Sequence, residues 1–257
     1  VLGFVICGTE HSGTTLCSDL FRQVPGVDAG FELGVLLADS PRRFAGVESH
    51  FPYLGMGWGL GETDIAWACD TDDFAVFYAR LQARAAYMPA GTQTIFDKTP
   101  RYLAHLDACL ARTGVPFIVT CKDPRATVHS DFVRSGAADF FVWFEAYAPA
   151  KLAYLNSAYA QYMRHRSDPR VFCLPLETLC LEAGRSCAAM FAHVGLAFDP
   201  RYLVLRDLRY PNTRNESISA GIPFGYMHAF TPAMIERVED YFGCLEDWFY
   251  RSGRSRS

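Results

Sequence analysis

Gly8, Gly13 and Thr15 sit between a short apolar run and a helix-like stretch in FVICGTEHSGTTLCSDLF, residues 4–21. Four residues separate the two glycines, the spacing of a loop whose backbone N–H groups converge on a phosphate. Glycine permits that close approach, and the helix that follows turns its positive end toward an anion. In the standard pattern the second glycine is followed by a lysine that reaches the outer phosphates of a nucleoside triphosphate. Here Thr14 stands in that place. The loop therefore suits a 5′-phosphate or a single phosphosulfate bridge better than a triphosphate. Its candidate binding residues are Gly8, Thr9, His11, Ser12, Gly13, Thr14 and Thr15, with His11 and the hydroxyls of Ser12, Thr14 and Thr15 as donors.

A second anion site is suggested by FIVTCKDPRATVHSDF, residues 117–132. Lys122 leaves the end of an apolar run, and Ser130 falls about two turns into the next helix. If the chain folds back at Pro124, both meet one phosphate. In open parallel sheets ligands collect at the carboxyl ends of the strands, where Lys122 and the first loop both lie.

Strands are expected at residues 1–7, 92–97, 115–121 and 170–176, each a nearly continuous apolar run of the kind buried on both faces. Helices are expected at 14–23, 70–88 (capped by Asp70 or Thr71), from Pro100, after Asp123, and at 149–166, 184–194 and 232–250. Residues 40–70, rich in glycine, proline and aromatics, read as one long loop, and loops of that length in a compact domain are usually functional. The alternation implies an α/β fold, a single domain with a mainly parallel sheet flanked by helices, over residues 1–250. The tail 251–257 is expected to be disordered.

The chain has 257 residues, half of them hydrophobic, enough for one sizeable core. A formal charge of −4 disfavours nucleic acid as a partner. The nine cysteines are odd in number and form no CxxC pair, so zinc is not expected. Several lie in apolar strands, as reduced buried thiols do, which points to a reducing, cytoplasmic setting. No apolar run is long enough to span a membrane, and Val1 opens a strand rather than a leader, with a trimmed leader or anchor left open.

Taken together, these motifs resemble the sulfotransferases that use 3′-phosphoadenosine 5′-phosphosulfate (PAPS) and release 3′,5′-bisphosphoadenosine (PAP). GTEHSGTT looks like their 5′-phosphosulfate loop, and KDPRATVHS is similar to their 3′-phosphate motif, with Lys122 and Ser130 eight apart. FDKTPRYL (96–103) resembles the Asp-Lys-Thr-Pro segment of the bacterial, carbohydrate and tyrosyl-protein branches. LPLETL (174–179) and HVGLAFDP (193–200) resemble later elements, so the likeness spans roughly residues 3 to 200. The family usually carries Lys or Arg where this chain has His11, and Arg where it has Lys122. Its carboxy-terminal phosphate loop is only faintly echoed, in NESISAGIPFG (215–225).

The resemblance implies a P-loop-like fold and transfer of a sulfuryl group to a hydroxyl on a small molecule, sugar, lipid or peptide, without metal. It assigns His11 to the leaving phosphate, Lys98 to the sulfuryl group and Glu32 to the base. The histidine base of the cytosolic branch is absent, because Pro100 stands in its place; His50 is the other candidate. Phe51, Tyr53, Trp58 and Trp67, with DFFVWFEAY (139–147), are expected to line the acceptor pocket. Two other readings are a P-loop nucleotide or small-molecule kinase and a noncatalytic adenine-nucleotide-binding protein of the same fold.

Overall fold

A computed structural model describes residues 1–206, 218–244 and 248. Five parallel strands make one sheet: β1 (Leu2–Gly8), β2 (Val27–Asp28), β3 (Thr94–Lys98), β4 (Phe117–Cys121) and β5 (Val171–Pro175), in the order β2-β3-β1-β4-β5. The four expected strands are present to within two residues. β2, only two residues long, carries no pattern that a sequence could reveal. Val5, Ile6, Cys7, Phe96, Ile118 and Val119 are fully buried, as apolar strands covered on both faces must be.

The register sets out the site. Ile6 pairs with Lys98, and Gly8 with Thr120, so the carboxyl ends of β1, β3 and β4 finish side by side. After β1 the chain crosses to one side of the sheet for β2 and β3, then returns past β1 for β4 and β5. The loop following β1 thus lies at the switch point, where α/β sheets open a crevice.

Helices cover the sheet: α1 (Thr14–Arg22), α2 (Tyr53–Met56), α3 (Glu62–Cys69), α4 (Phe74–Arg84), α5 (Leu106–Arg112), α6 (Pro124–Ser135), α7 (Phe140–His165), α8 (Leu176–Leu181), α9 (Ala183–His193), α10 (Gly221–Phe224), α11 (Tyr226–Ala229) and α12 (Pro232–Phe242). Several boundaries differ from expectation. Residues 40–70 are not one loop but a 3₁₀ turn at Pro41–Gly46 followed by α2 and α3. α4 starts at Phe74 because Asp73, not Asp70 or Thr71, caps it, accepting from the N–H of Ala75 and Val76. Pro100 opens a 3₁₀ turn (Pro100–His105) before α5. α7 begins nine residues earlier than the expected 149, and Pro149 lies inside it. The stretch 139–147 is therefore the cap and first turns of that helix, with Asp139 accepting from Val142 N–H. The expected helix 232–250 is seen at Pro232–Phe242; the tail 251–257 lies outside the described residues.

One core packs around the sheet, with Phe4, Phe21 and Phe96 in mutual ring contact and Phe191 stacked on Phe21. A second joins α6 and α7 to α11 and α12 through Phe140, Phe144, Phe230 and Phe242. Cys7, Cys17, Cys69, Cys109, Cys121, Cys173, Cys180 and Cys187 are in no disulfide, and Cys121 and Cys173 face each other at 4.0 Å across β4 and β5. Among the described residues no helix is long and apolar enough to cross a membrane.

Gly8 is needed for close approach. A Cβ there would stand 2.2 Å from Thr120 Oγ1 and 2.4 Å from the Thr120 carbonyl oxygen, a backbone atom that cannot step aside. Gly8→Ala should therefore destabilise the fold by about 1–3 kcal/mol, seen as a lower denaturant midpoint at unchanged m.

Candidate active site

The loop between β1 and α1 is held to β4 by its own polar atoms. Thr9 N–H donates to the Thr120 carbonyl at 3.1 Å, and Ser12 N–H to the Thr9 carbonyl at 3.2 Å. Ser12 Oγ lies 2.5 Å from the Thr9 carbonyl and 2.7 Å from Thr120 Oγ1. Ser12 is fully buried and its hydroxyl is engaged, so it shapes the loop and is not an open donor as the sequence suggested. Two residues take left-handed conformations, His11 (φ 60°) and Gly13 (φ 90°). Such a conformation is uncommon for a side chain larger than glycine, and it concentrates at functional loops. At Gly13 a Cβ would also meet Leu176 Cδ1 at 2.6 Å. Among the described residues no side chain caps α1, which leaves the N–H groups of its first turn open for an anion.

A cavity of about 570 Å³ opens above the strand ends. His11, Gly13, Thr14 and Thr15 from the loop, Lys122 and Ser130 from the β4–α6 segment, and Glu32, His50, Tyr53 and Lys98 all line it. Ten residues singled out in the sequence thus share one space. Gly8, Thr9 and Ser12 do not reach it; they form the loop's root.

Lys122 Nζ donates to Ser130 Oγ at 2.6 Å. The motif between them explains the fold-back. Asp123 caps α6 by accepting from Arg125 N–H at 2.8 Å, Pro124 occupies the first turn, and Arg125 grips both Asp123 oxygens. Glu177 of α8 accepts the Asp123 N–H at 2.9 Å, tying the β5 exit to the same turn. Burial brings the Lys122 ammonium down to about 8, with Glu177 and Asp131 pulling the other way.

At the other end, Lys98 Nζ lies 2.7 Å from Glu32 Oε1 and 5.0 Å from the centroid of the Phe31 ring. The neighbouring Asp97 side chain, on the opposite face of β3, is a buried hub. It accepts from Tyr78 OH (2.7 Å), Tyr102 OH (2.6 Å) and Thr99 Oγ1 (2.8 Å). Thr99 Oγ1 and Tyr102 OH in turn accept the N–H groups of Gly34 and Leu36. The segment that carries Glu32 is thereby fastened to β3 beside Lys98. Burial pushes the Asp97 carboxyl up, against the pull of those three hydroxyls.

His50 is nearly buried, with Nδ1 2.9 Å from Ser49 Oγ. Burial holds its imidazole below the usual range, while Glu32 pulls it up and Arg101 pushes it further down. Tyr53 and Phe31 meet edge to face at 4.8 Å on the cavity wall. Phe51 and Trp58 do not line the cavity. Trp58 is fully buried and donates Nε1–H to the Phe31 carbonyl at 2.7 Å, and Phe51 packs on Phe44 in the core. Trp67 lies on α3 under Arg80 and Arg84. Trp143 and Tyr147 line a neighbouring groove of about 670 Å³ that shares Glu10, His11 and Arg134 with the main cavity.

Sequence reasoning did not pick out Glu10, Phe31, Ser49, Arg101 and Arg134, which also line the cavity. Arg134 lies one helical turn past Ser130 on the same face of α6, and that spacing was the available signal. Residues 215–217 of the faint carboxy-terminal loop are outside the described residues; Ile222, further along it, reaches the cavity. Among the described residues no cluster of three or more His, Cys, Asp or Glu is arranged to hold a metal.

Comparison with known proteins bears on this arrangement. Solved structures share the fold. A sulfotransferase domain from the Synechococcus PCC 7002 olefin synthase is 17% identical with a TM-score of 0.59, covering 93% of each chain. A mouse sulfotransferase complexed with PAP is 12% identical with a TM-score of 0.55, over 97% of this chain and 85% of that one. A retinol dehydratase complexed with androsterone and PAP is 13% identical with a TM-score of 0.52, over 100% of this chain and 84% of the other. No curated protein sequence matches the chain. The family model described as "Sulfotransferase family" matches residues 4–200, which run from β1 through the first loop, Lys98 and Lys122 to the segment after α9. With about three quarters of its length matched, the chain belongs to the sulfotransferase family.

Proposed function

We propose that the chain moves a sulfuryl group from PAPS to a hydroxyl acceptor by in-line displacement in the 570 Å³ cavity. The observation that carries this reading is the meeting, in that one space, of the glycine loop, the Lys122–Ser130 pair and the Lys98–Glu32 pair. The donor's two phosphates call for two anion sites. The open first turn of α1 with His11, Thr14 and Thr15 suits the 5′-phosphate, and Lys122 with Ser130 suits the 3′-phosphate. Lys98 commits one ammonium hydrogen to Glu32 and has two more for the sulfuryl oxygens.

In the transfer step the acceptor oxygen bonds to sulfur as the bond from sulfur to the phosphate bridge oxygen breaks. Glu32 takes the acceptor proton, and Lys98 and the α1 N-terminus meet the charge that develops. The acceptor end is walled by Phe31, Tyr53, Pro100 and Arg101, an apolar surface with one cation. The structural relative complexed with androsterone supports an acceptor of small-molecule size. A kinase reading has less support, since Thr14 replaces the phosphate-clamping lysine.

Incubation with PAPS labelled at sulfur, across a panel of phenol, sterol, sugar and tyrosyl-peptide acceptors, tests the reading. Acceptor-dependent appearance of labelled product with one PAP per transfer supports it; labelled product from none of the panel, alongside phosphoryl transfer in a parallel incubation with γ-labelled ATP, overturns it. Excess chelator should leave single-turnover transfer intact, whereas an absolute magnesium requirement would point to phosphoryl chemistry.

Lys122→Ala should weaken PAP binding by about 1.5–3 kcal/mol, the range for a lost charge-assisted hydrogen bond. Adenosine 5′-phosphate, lacking the 3′-phosphate, should bind about as before. Equal losses for both, measured by calorimetry, would remove Lys122 and Ser130 from the 3′-phosphate site.

A further inference from the structure

His11 is the side chain on the glycine loop able to carry positive charge, and it is held in a particular way. Its Nε2 lies 3.5 Å from Asp131 Oδ1 on α6. Asp131 is itself fixed: Lys151 Nζ of α7 stands 2.9 Å from its Oδ2, and Tyr147 OH donates to the same oxygen. Lys151 is buried and also reaches Glu10 of the loop at 3.5 Å. Elements from three parts of the chain therefore converge to place a carboxylate behind the imidazole, while the ring lines the cavity. The glycine-loop reading had no use for Asp131, Tyr147 or Lys151.

That geometry constrains the proton. With Nε2 facing the Asp131 carboxylate at 3.5 Å, a neutral ring that keeps its hydrogen on that side offers a bare lone pair at Nδ1, which repels a phosphate oxygen. A ring protonated on both nitrogens donates to Asp131 and to phosphate together. Resting on the donor reading above, we infer that His11 takes up a proton from solvent as the 5′-phosphate binds, and that Asp131 is the positioning residue that makes it do so. The loop thus gains its missing cation only when the ligand arrives.

The charged groups facing His11 agree with this cycle. Burial holds the free imidazole below its usual range; Asp131 and Glu10 favour the proton, Arg134 and Lys151 oppose it. An incoming phosphate adds a further negative charge, so the bound ring is more basic than the free one. Affinity should then fall as pH rises from the free ring's value to the bound ring's, by up to about tenfold per pH unit for one linked proton, and level off above it.

Calorimetric titration at pH 8 in HEPES and in Tris, buffers of different ionisation enthalpy, counts the protons. Phosphate monoesters are fully ionised at this pH, so uptake belongs to the protein. Lys122, brought down to about 8, contributes its own uptake with PAP, so adenosine 5′-phosphate is titrated in parallel. Wild type should take up a measurable fraction of a proton with adenosine 5′-phosphate, and His11→Gln none. Asp131→Asn should also lose most of the uptake. An asparagine can donate to Nε2, letting a neutral ring turn its N–H to the phosphate. Because that variant leaves the Lys151 charge buried, Asp131→Asn/Lys151→Met, which removes both charges, serves as the second test. Uptake retained in both Asp131 variants would overturn the role of Asp131, and uptake absent from wild type would overturn the proton linkage. If neither nucleotide binds wild type, the donor reading itself falls, an outcome distinct from binding without uptake.

Discussion

Glu32→Gln should lower single-turnover transfer by about 10²–10⁴-fold, the usual worth of general-base proton removal. Glutamine keeps the shape and can still accept a hydrogen bond from Lys98, which lies 2.7 Å from Glu32 Oε1. It cannot take a proton from an alcohol. If Glu32 meets the acceptor rather than the nucleotide, as proposed, PAP affinity should stay within about threefold of wild type, so the loss lies in the chemical step. Turnover near wild type with unchanged affinity would make Glu32 structural. His50, nearly buried and held below its usual range, would be the next base to test, as His50→Asn.

Lys98→Ala should lose about 10²–10³-fold in transfer rate, comparable to removing one preorganised donor from a developing oxyanion. Lys98 is buried at the end of β3, where its charge is felt more strongly than at the surface. The variant also frees Glu32 from its partner, so a structural contribution must be separated. Thermal stability and PAP affinity report that part, and kcat reports the rest. Lys98→Arg should recover some of the rate, because a guanidinium restores the charge with different reach. A normal rate in Lys98→Ala would remove Lys98 from the chemistry.

What could be read in advance follows from locality. Lys122 and Ser130 are joined by one turn and one helix, and the Asp123-Pro124 cap makes their meeting at 2.6 Å nearly a local property. The same holds for the glycine loop and the apolar strands, whose patterns lie within a few residues. Trp58 was misread because an aromatic among glycines looks like a loop residue. Its hydrogen bond to the Phe31 carbonyl and its packing against Gly30 come from another part of the chain. The first turns of α7 were hidden by a dense aromatic run and by Pro149, which the helix absorbs in its interior. Ser12 looked like an open donor because nothing nearby in sequence announces Thr120 as its partner. Asp131 behind His11 is likewise a product of the fold, since α6 and the β1 loop meet only once β1 and β4 pair.

The central claim is that the cavity is built for a nucleotide bearing 3′- and 5′-phosphates, and one calorimetric comparison tests it most directly. PAP and ATP with magnesium are titrated into the wild-type chain at the same pH and salt. The Lys122–Ser130 pair and the open α1 terminus should bind PAP with one site per chain, while ATP with magnesium, lacking a 3′-phosphate and finding no loop lysine, gives no comparable heat. Tight binding of ATP with magnesium and none of PAP would contradict the account.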